Sequence, residues 1–254
     1  HLKRYFFSKN QPGSKKSKIT LDQGVLLYGK SGCGKTMIAK AAAEQTDAVF
    51  LALKPCDLHR KFHGESEQMI EATFSLARKL KPTIIFLDEC EAHFGKRIPS
   101  CDAGSQFYNS LKTIWLQEWG GLNSQSKANK MTQDNRFDVV ILGATNFRDR
   151  LDAAFLRRFE KQIEVHYPNE KDRAVMFRKT IDAKIKEDEL FTVQMFVEGE
   201  DDLFQRLAKK TNKFNGFDIV TLCKNAFNEL YAKEAREEED REEEDRGEED
   251  RGEE

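Results

Sequence analysis

Four short apolar runs punctuate the chain, Gly24-Val25-Leu26-Leu27-Tyr28, Val49-Phe50-Leu51-Ala52-Leu53, Thr83-Ile84-Ile85-Phe86-Leu87 and Val139-Val140-Ile141-Leu142, and Ile163-Glu164-Val165 reads as a short fifth strand. The length and apolar continuity of the four runs predict buried strands. Between them, residues 35–46 and 65–79 place apolar side chains at helical spacing. In the second stretch Met69, Ile70, Phe74, Leu76 and Ala77 fall near one side. Strands that alternate with helices predict an α/β fold, a parallel sheet covered on both faces. After Pro168 the pattern changes. Residues 169–184, 200–211 and 216–234 read as helices with no strong strand among them. The expected organisation is a large α/β domain over 1–168, a small helical lid domain over 169–233 and a separate tail over 234–254.

The remaining segments carry less pattern. Residues 1–22 are basic and irregular, with a short helical stretch near Leu2–Phe7 and a cluster of Lys9, Lys15, Lys16 and Lys18 around Pro12-Gly13-Ser14. A basic patch can face nucleic acid or anionic lipid, but a solvated loop is the favoured reading. Residues 123–137 are polar and without periodicity, and are expected to be a surface loop. The tail repeats Arg-Glu-Glu-Glu-Asp, a five-residue period that matches no helix face, and Gly247 and Gly252 weaken helicity further. Disorder is expected there.

Charge separates these parts. The formal net charge of the whole chain is −2, but residues 234–254 hold 14 acids against 4 arginines, leaving the rest at +8. The near-neutral total is therefore not the property of one surface. Five scattered cysteines form no CxxC pair, which fits a reducing compartment better than a disulfide framework. The five histidines show no metal-site spacing. No apolar run approaches the ~18 residues that span a bilayer, and no signal peptide opens the chain. The chain begins at His1, which leads to the expectation of further sequence upstream.

The strongest chemical signal is Gly29-Lys30-Ser31-Gly32-Cys33-Gly34-Lys35-Thr36, a complete G-x-x-x-x-G-K-[ST] phosphate loop. A strand runs into it and a helix runs out. Its glycines let the backbone curl so that N–H groups point inward, and the helix N-terminus adds positive potential. Lys35 is expected to reach the β- and γ-phosphates, and the Thr36 hydroxyl to bind Mg2+. The nucleotide-lining set runs over Gly29, Ser31, Gly32, Cys33, Gly34, Lys35, Thr36 and Met37.

Hydrolysis needs further groups. The third apolar run ends in Asp88-Glu89. Asp88 can hold the Mg2+ shell, and Glu89 can polarise a water for in-line attack on the γ-phosphate. Ligands of open α/β sheets gather beyond the carboxyl ends of the strands. The fourth run leads to Gly143-Ala144-Thr145-Asn146, which places Asn146 at the same edge to orient water or touch the γ-phosphate. Leu151-Asp152-Ala153-Ala154-Phe155-Leu156-Arg157-Arg158-Phe159 follows. Paired arginines usually end a helix in solvent, but they also stabilise transition-state charge on a neighbour's nucleotide.

In this order, the phosphate loop, the Asp88-Glu89 strand, the Gly-Ala-Thr-Asn strand and the double-arginine segment resemble the AAA ATPases over residues 20–232. The resemblance implies ATP and Mg2+ as cofactors and a ring, usually a homo-hexamer, in which Arg157 and Arg158 act in trans. It also implies an adenine pocket near Gly216. Lys61-Phe62-His63-Gly64-Glu65-Ser66-Glu67 is similar to the family's first pore loop, with Phe62, and His63 beside it, gripping substrate polypeptide. The chain looks like the meiotic clade, and Phe74–Pro82 and Asp152–Arg158 look most like the outer-mitochondrial-membrane ATPases that extract tail-anchored proteins. That implies a protein translocase facing the cytosol, tied to a membrane only through an N-terminal segment outside this chain.

Some wording departs from the family. Lys30-Ser31 stands where two prolines are usual, Cys90-Glu91 for Ile-Asp, and Phe147-Arg148 for Arg-Pro. Phe217 replaces a small residue near the expected adenine pocket, and the second pore loop, expected near 97–106, lacks its usual charges. Two other readings stay open: a severing or disassembly motor acting on microtubules or ESCRT-III polymers, and a degenerate nucleotide-binding regulatory subunit. A nucleic-acid motor is disfavoured, because no aromatic–basic interleaving provides a stacking groove.

Overall fold

The computed structural model describes residues 23–54, 64–80, 82–96, 103–128, 139–187 and 200–249. The chain divides into two compact units, His1–His166 and Tyr167–Glu254.

The first unit is built on five parallel strands: β1 (Gly24–Tyr28), β2 (Val49–Leu53), β3 (Thr83–Leu87), β4 (Val139–Thr145) and β5 (Lys161–Glu164). Their spatial order is β2-β3-β4-β1-β5. Leu26 pairs with Gly143 on one side and Gln162 on the other, and Ile85 pairs with Ile141. Helix α1 (Lys35–Thr46) connects β1 to β2, and α2 (Glu65–Lys79) connects β2 to β3. A short α3 (Glu91–Phe94) and a long α4 (Ala103–Ala128) follow β3. Beyond β4 come a turn of 3₁₀ helix, Arg148–Arg150, and α5 (Ala153–Leu156).

The apolar runs are continuous because both faces of the central strands are covered. Val25, Leu27, Ile84, Phe86, Val140 and Leu142 pack on one side with Ala39 and Ala43 of α1. Leu26, Ile85, Leu87 and Ile141 pack on the other with Ile70 and Phe74 of α2 and with Trp115 and Trp119 of α4. An aromatic stack anchors this second face: Phe94 lies 4.0 Å from Phe155, nearly parallel, and meets Trp115 edge-on at 5.3 Å.

The strands stand as expected, with β4 reaching Thr145 and β5 starting earlier, at Lys161. The surface loop expected over 123–137 is corrected in part. Residues 123–128 continue α4, whose buried Leu111, Trp115, Trp119 and Leu122 recur at helical spacing. The rest of that expected loop lies outside the described residues, as do the basic opening segment and residues 97–102 of the expected second pore loop.

The second unit comprises α6 (Glu170–Glu187), α7 (Glu200–Lys210) and α8 (Gly216–Glu249). Phe177, Phe204, Ile219 and Cys223 form its core. Arg173 is buried there but satisfied, donating to Pro168 O and twice to Ala208 O. Asn215 and Asp218 exchange backbone-to-side-chain hydrogen bonds of 2.9 Å, which cap the start of α8. Disorder was expected from residue 234 onward, yet α8 runs on to Glu249. The five-residue repeat sets Glu237 four residues before Arg241 and Glu242 four before Arg246. That is the spacing and order of charge that favours a helix. Among the described residues, no helix is long and apolar enough to cross a membrane.

Candidate nucleotide site

The phosphate loop leaves β1 under tight constraint. A β-carbon on Gly29 would lie 2.2 Å from Val165 O, so only glycine admits the chain past the end of β5. Gly29 N donates to Thr145 O, and Val165 N to Tyr28 O, which clamps the loop's origin between β4 and the residue after β5. Gly32 and Gly34 take φ of 75° and 86°, left-handed values that suit glycine. Gly34 caps α1, and its carbonyl receives the first helical bond, from Ile38 N. Lys30, Ser31 and Met37 are exposed, and Cys33 is half-buried.

Lys35 is 8% exposed and turns into the loop. Its Nζ donates to Gly29 O and Lys30 O at 2.9 Å each and to Asn146 Oδ1 at 2.7 Å. Burial lowers its pKa from 10.5; the nearby charges of Cys33, Asp88 and Glu91 oppose that shift. An ammonium held so weakly solvated on three neutral oxygens is ready to exchange them for phosphate oxygens.

Thr36 Oγ1 donates to Asp88 Oδ2 at 2.8 Å, and Asp88 Oδ1 accepts from Glu89 N at 3.0 Å. A hydroxyl and a carboxylate side by side are the hard oxygen donors that Mg2+ takes, with waters and phosphates completing its shell. Thr36 and Asp88 therefore fit the ion. Glu89 is exposed and has φ 48°, a left-handed backbone for a residue with a long side chain. Glu89, Glu91, Lys96, Asp149 and Arg150 border an open cavity of about 490 Å³. Cys90 is buried behind the acids, its N–H on Ala144 O. Burial pushes its thiol pKa far up, so it behaves as core.

The sequence-predicted residues thus fall into groups. Lys35, Thr36, Asp88 and Asn146 are in direct contact, and Glu89 is bonded to Asp88. They gather where β1, β3 and β4 end, and these are neighbours in the sheet. Arg157 and Arg158 are not brought to this loop. A β-carbon on Gly24, the first residue of β1, would meet Arg158 O at 2.2 Å. The arginines therefore sit at the opposite end of β1, ~13 Å of strand away from the loop. Arg157 is exposed, whereas Arg158 donates to Ala154 O and Leu116 O at 3.3 Å. Gly216 opens α8 in the second unit, followed by Phe217, 69% exposed. Phe62 and His63 lie outside the described residues.

Two groups carried no motif signal. One is the Val165 carbonyl, which enforces Gly29. The other is Gln162, which accepts from Arg148 Nε and donates to the turn that bears Arg157 and Arg158.

Comparison with known proteins finds relatives over most of the chain. The profile of the ATPase family associated with various cellular activities (AAA) matches residues 25–167, more than half of the chain. The outer mitochondrial transmembrane helix translocase of Danio rerio is 37% identical over 204 residues, covering 80% of this chain and 50% of that protein. Spastin of Bos taurus is 36% identical over 209 residues, covering 80% of this chain and 30% of spastin. The chain spans about half the length of the translocases it matches. Among solved structures, the FIGL-1 AAA domain in complex with ADP superposes with a TM-score of 0.60 at 28% identity, covering 81% of this chain and 60% of that one.

Proposed function

The chain belongs to the AAA family of ATPases, and from that premise we propose that it drives an oligomeric motor that threads or extracts protein substrates. The observation that carries the reading is the direct contact of Lys35 with Asn146 and of Thr36 with Asp88 at one edge of the sheet. These four side chains, with Glu89 beside them, are the parts that phosphoryl transfer from ATP to water requires.

In this reading the loop N–H groups and Lys35 bind the β- and γ-phosphates. Thr36 and Asp88 would hold Mg2+, which would supply positive charge against the phosphates. Glu89 accepts a proton from the attacking water as its oxygen bonds to the γ-phosphorus and the bond to the ADP oxygen breaks. Asn146 fixes the water or the γ-phosphate. Arg157 and Arg158, turned away from their own loop, stabilise the transition state on a neighbouring copy. A ring, most simply a hexamer, gives every loop such a neighbour. Phe62, with His63, grips the polypeptide in the central pore.

Membrane proteins with a single terminal span are the preferred substrates, at the cytosolic face of the mitochondrial outer membrane. The translocase relatives support this. The similar identity to spastin supports a second reading, a microtubule-severing motor.

The test is ATP hydrolysis per chain against protein concentration, for wild type, Glu89→Gln and Arg157→Ala. Specific activity should climb with concentration, and both variants should abolish it. Mixing the two dead variants should restore part of the activity, because some mixed interfaces hold one complete site. A wild type that binds ATP but never turns over would instead support a regulatory, non-hydrolysing subunit.

A further inference from the structure

Gln162 sits in the middle of β5, paired with Leu26 of β1. Its side chain uses both ends. Oε1 accepts from Arg148 Nε at 2.8 Å. Nε2 donates to Leu156 O and Phe159 O at 3.3 Å each, the carbonyls that bracket Arg157 and Arg158. The amide orientation follows from these partners, because the reverse would set an NH₂ group against a guanidinium.

Each end of this link is fixed. Arg148 lies over the Tyr28 ring at 5.5 Å, one residue before the phosphate loop, and follows Asn146 by two residues. On the other side Phe159 is buried and meets Trp119 edge-on at 5.0 Å. Between these anchors, Arg157 is exposed and makes one long hydrogen bond of 3.3 Å from Nε to Ala153 O. Its direction is therefore set by the turn's backbone, and Gln162 holds that backbone at two points.

We propose that Gln162 is a positioning residue for the Arg157–Arg158 turn, fixing the arginines that act on a neighbouring copy and tying them to the strand end that carries Asn146. The inference rests on the trans role of those arginines. Gln162 touches neither nucleotide nor water and acts only through the turn. Its effect must therefore follow the copy that supplies the arginines, not the copy that holds the nucleotide.

The experiment mixes two inactive chains. Glu89→Gln keeps its arginines, and Arg157→Ala keeps its catalytic carboxylate. Gln162→Glu is then added to one chain or the other. Glutamate still accepts from Arg148 but faces the two turn carbonyls with negative charge. In the Glu89→Gln chain it should lower the kcat of the mixture about tenfold, as small misplacements of a catalytic group do, with KM for ATP unchanged. In the Arg157→Ala chain, whose turn is already disarmed, it should add no further loss. Gln162→Met, which removes the same bonds without adding charge, is run in parallel and should show the same asymmetry.

Equal loss from both placements, or loss from neither, overturns the inference and leaves the trans reading intact. If the parent mixture recovers no activity, the trans reading falls and the inference falls with it.

Discussion

Asn146 Oδ1 accepts a hydrogen bond from Lys35 Nζ at 2.7 Å, joining residues 111 positions apart. The end of β4 and the phosphate loop therefore share one proton donor. A β- or γ-phosphate would compete with the amide for it. The competition can be tuned without moving the backbone. Asn146→Asp adds a carboxylate charge to a contact that the ammonium already makes charge-assisted, and so strengthens it further. ADP affinity should fall about tenfold in this variant. Asn146→Ala should bind ADP normally but lose about 10²-fold in kcat. Fluorescent-ADP titration and steady-state hydrolysis measure both. Unchanged ADP affinity in Asn146→Asp would show that the contact does not survive in solution.

Gly29 and Gly34 both sit in the phosphate loop, yet their demands differ. An added methyl at Gly29 meets the Val165 carbonyl at 2.2 Å, whereas at Gly34 it meets nothing within 4 Å. Gly34→Ala should carry only the left-handed backbone penalty, about 1–2 kcal/mol. Gly29→Ala carries overpacking against backbone, itself about 1–3 kcal/mol, and should displace β5 from β1. Its urea midpoint should be the lower of the two. The reverse ranking would contradict the clamp at Val165.

Lys35 makes stability depend on pH in a definite direction. Its folded pKa lies below 10.5 because burial disfavours the ammonium. Between the two pKa values the unfolded chain binds more protons than the folded one, so stability rises with pH across that window. Lys35→Met removes this term. As pH is raised toward 10.5, the nucleotide-free wild type should gain stability relative to Lys35→Met in matched denaturation curves. A relative loss would mean that charge contacts outweigh burial.

Phe94 connects the site to the core. It is fully buried, stacks on Phe155 and meets Trp115 edge-on. It also closes the short helix that begins two residues after Glu89. Phe94→Ala should cost about 3–5 kcal/mol, read as a lower denaturation midpoint. Hydrolysis should fall more than ADP binding, because the phosphate loop follows β1, which β4 separates from β3. Equal losses would show that the whole sheet had loosened.

The strands and the direct-contact residues were legible in the sequence because each is a local pattern. A buried strand is a short apolar run, and Gly29–Thr36 and Asp88-Glu89 are contiguous words at strand ends. Helix α4 was harder. Leu111, Trp115, Trp119 and Leu122 keep helical spacing, but Gly120-Gly121 and the polar residues after Leu122 interrupt the signal. The extension of α8 was hidden because charge composition argues for disorder, while the same repeat supplies helix-favouring pairs. Gln162 could not have been found this way. Its importance comes from three partners on separate segments, and only the fold brings them together.

The left-handed backbone of Glu89 has a consequence for anyone engineering this protein. Glutamine retains that backbone penalty, so Glu89→Gln should melt like the wild type. Glycine relieves it, gaining on the order of 1 kcal/mol while removing the carboxylate. On the role proposed for Glu89, a thermal-tolerance screen over this position would therefore enrich for clones that have lost turnover. Directed evolution toward a hardier protein must couple its selection to phosphate release, or it will discard the reaction first.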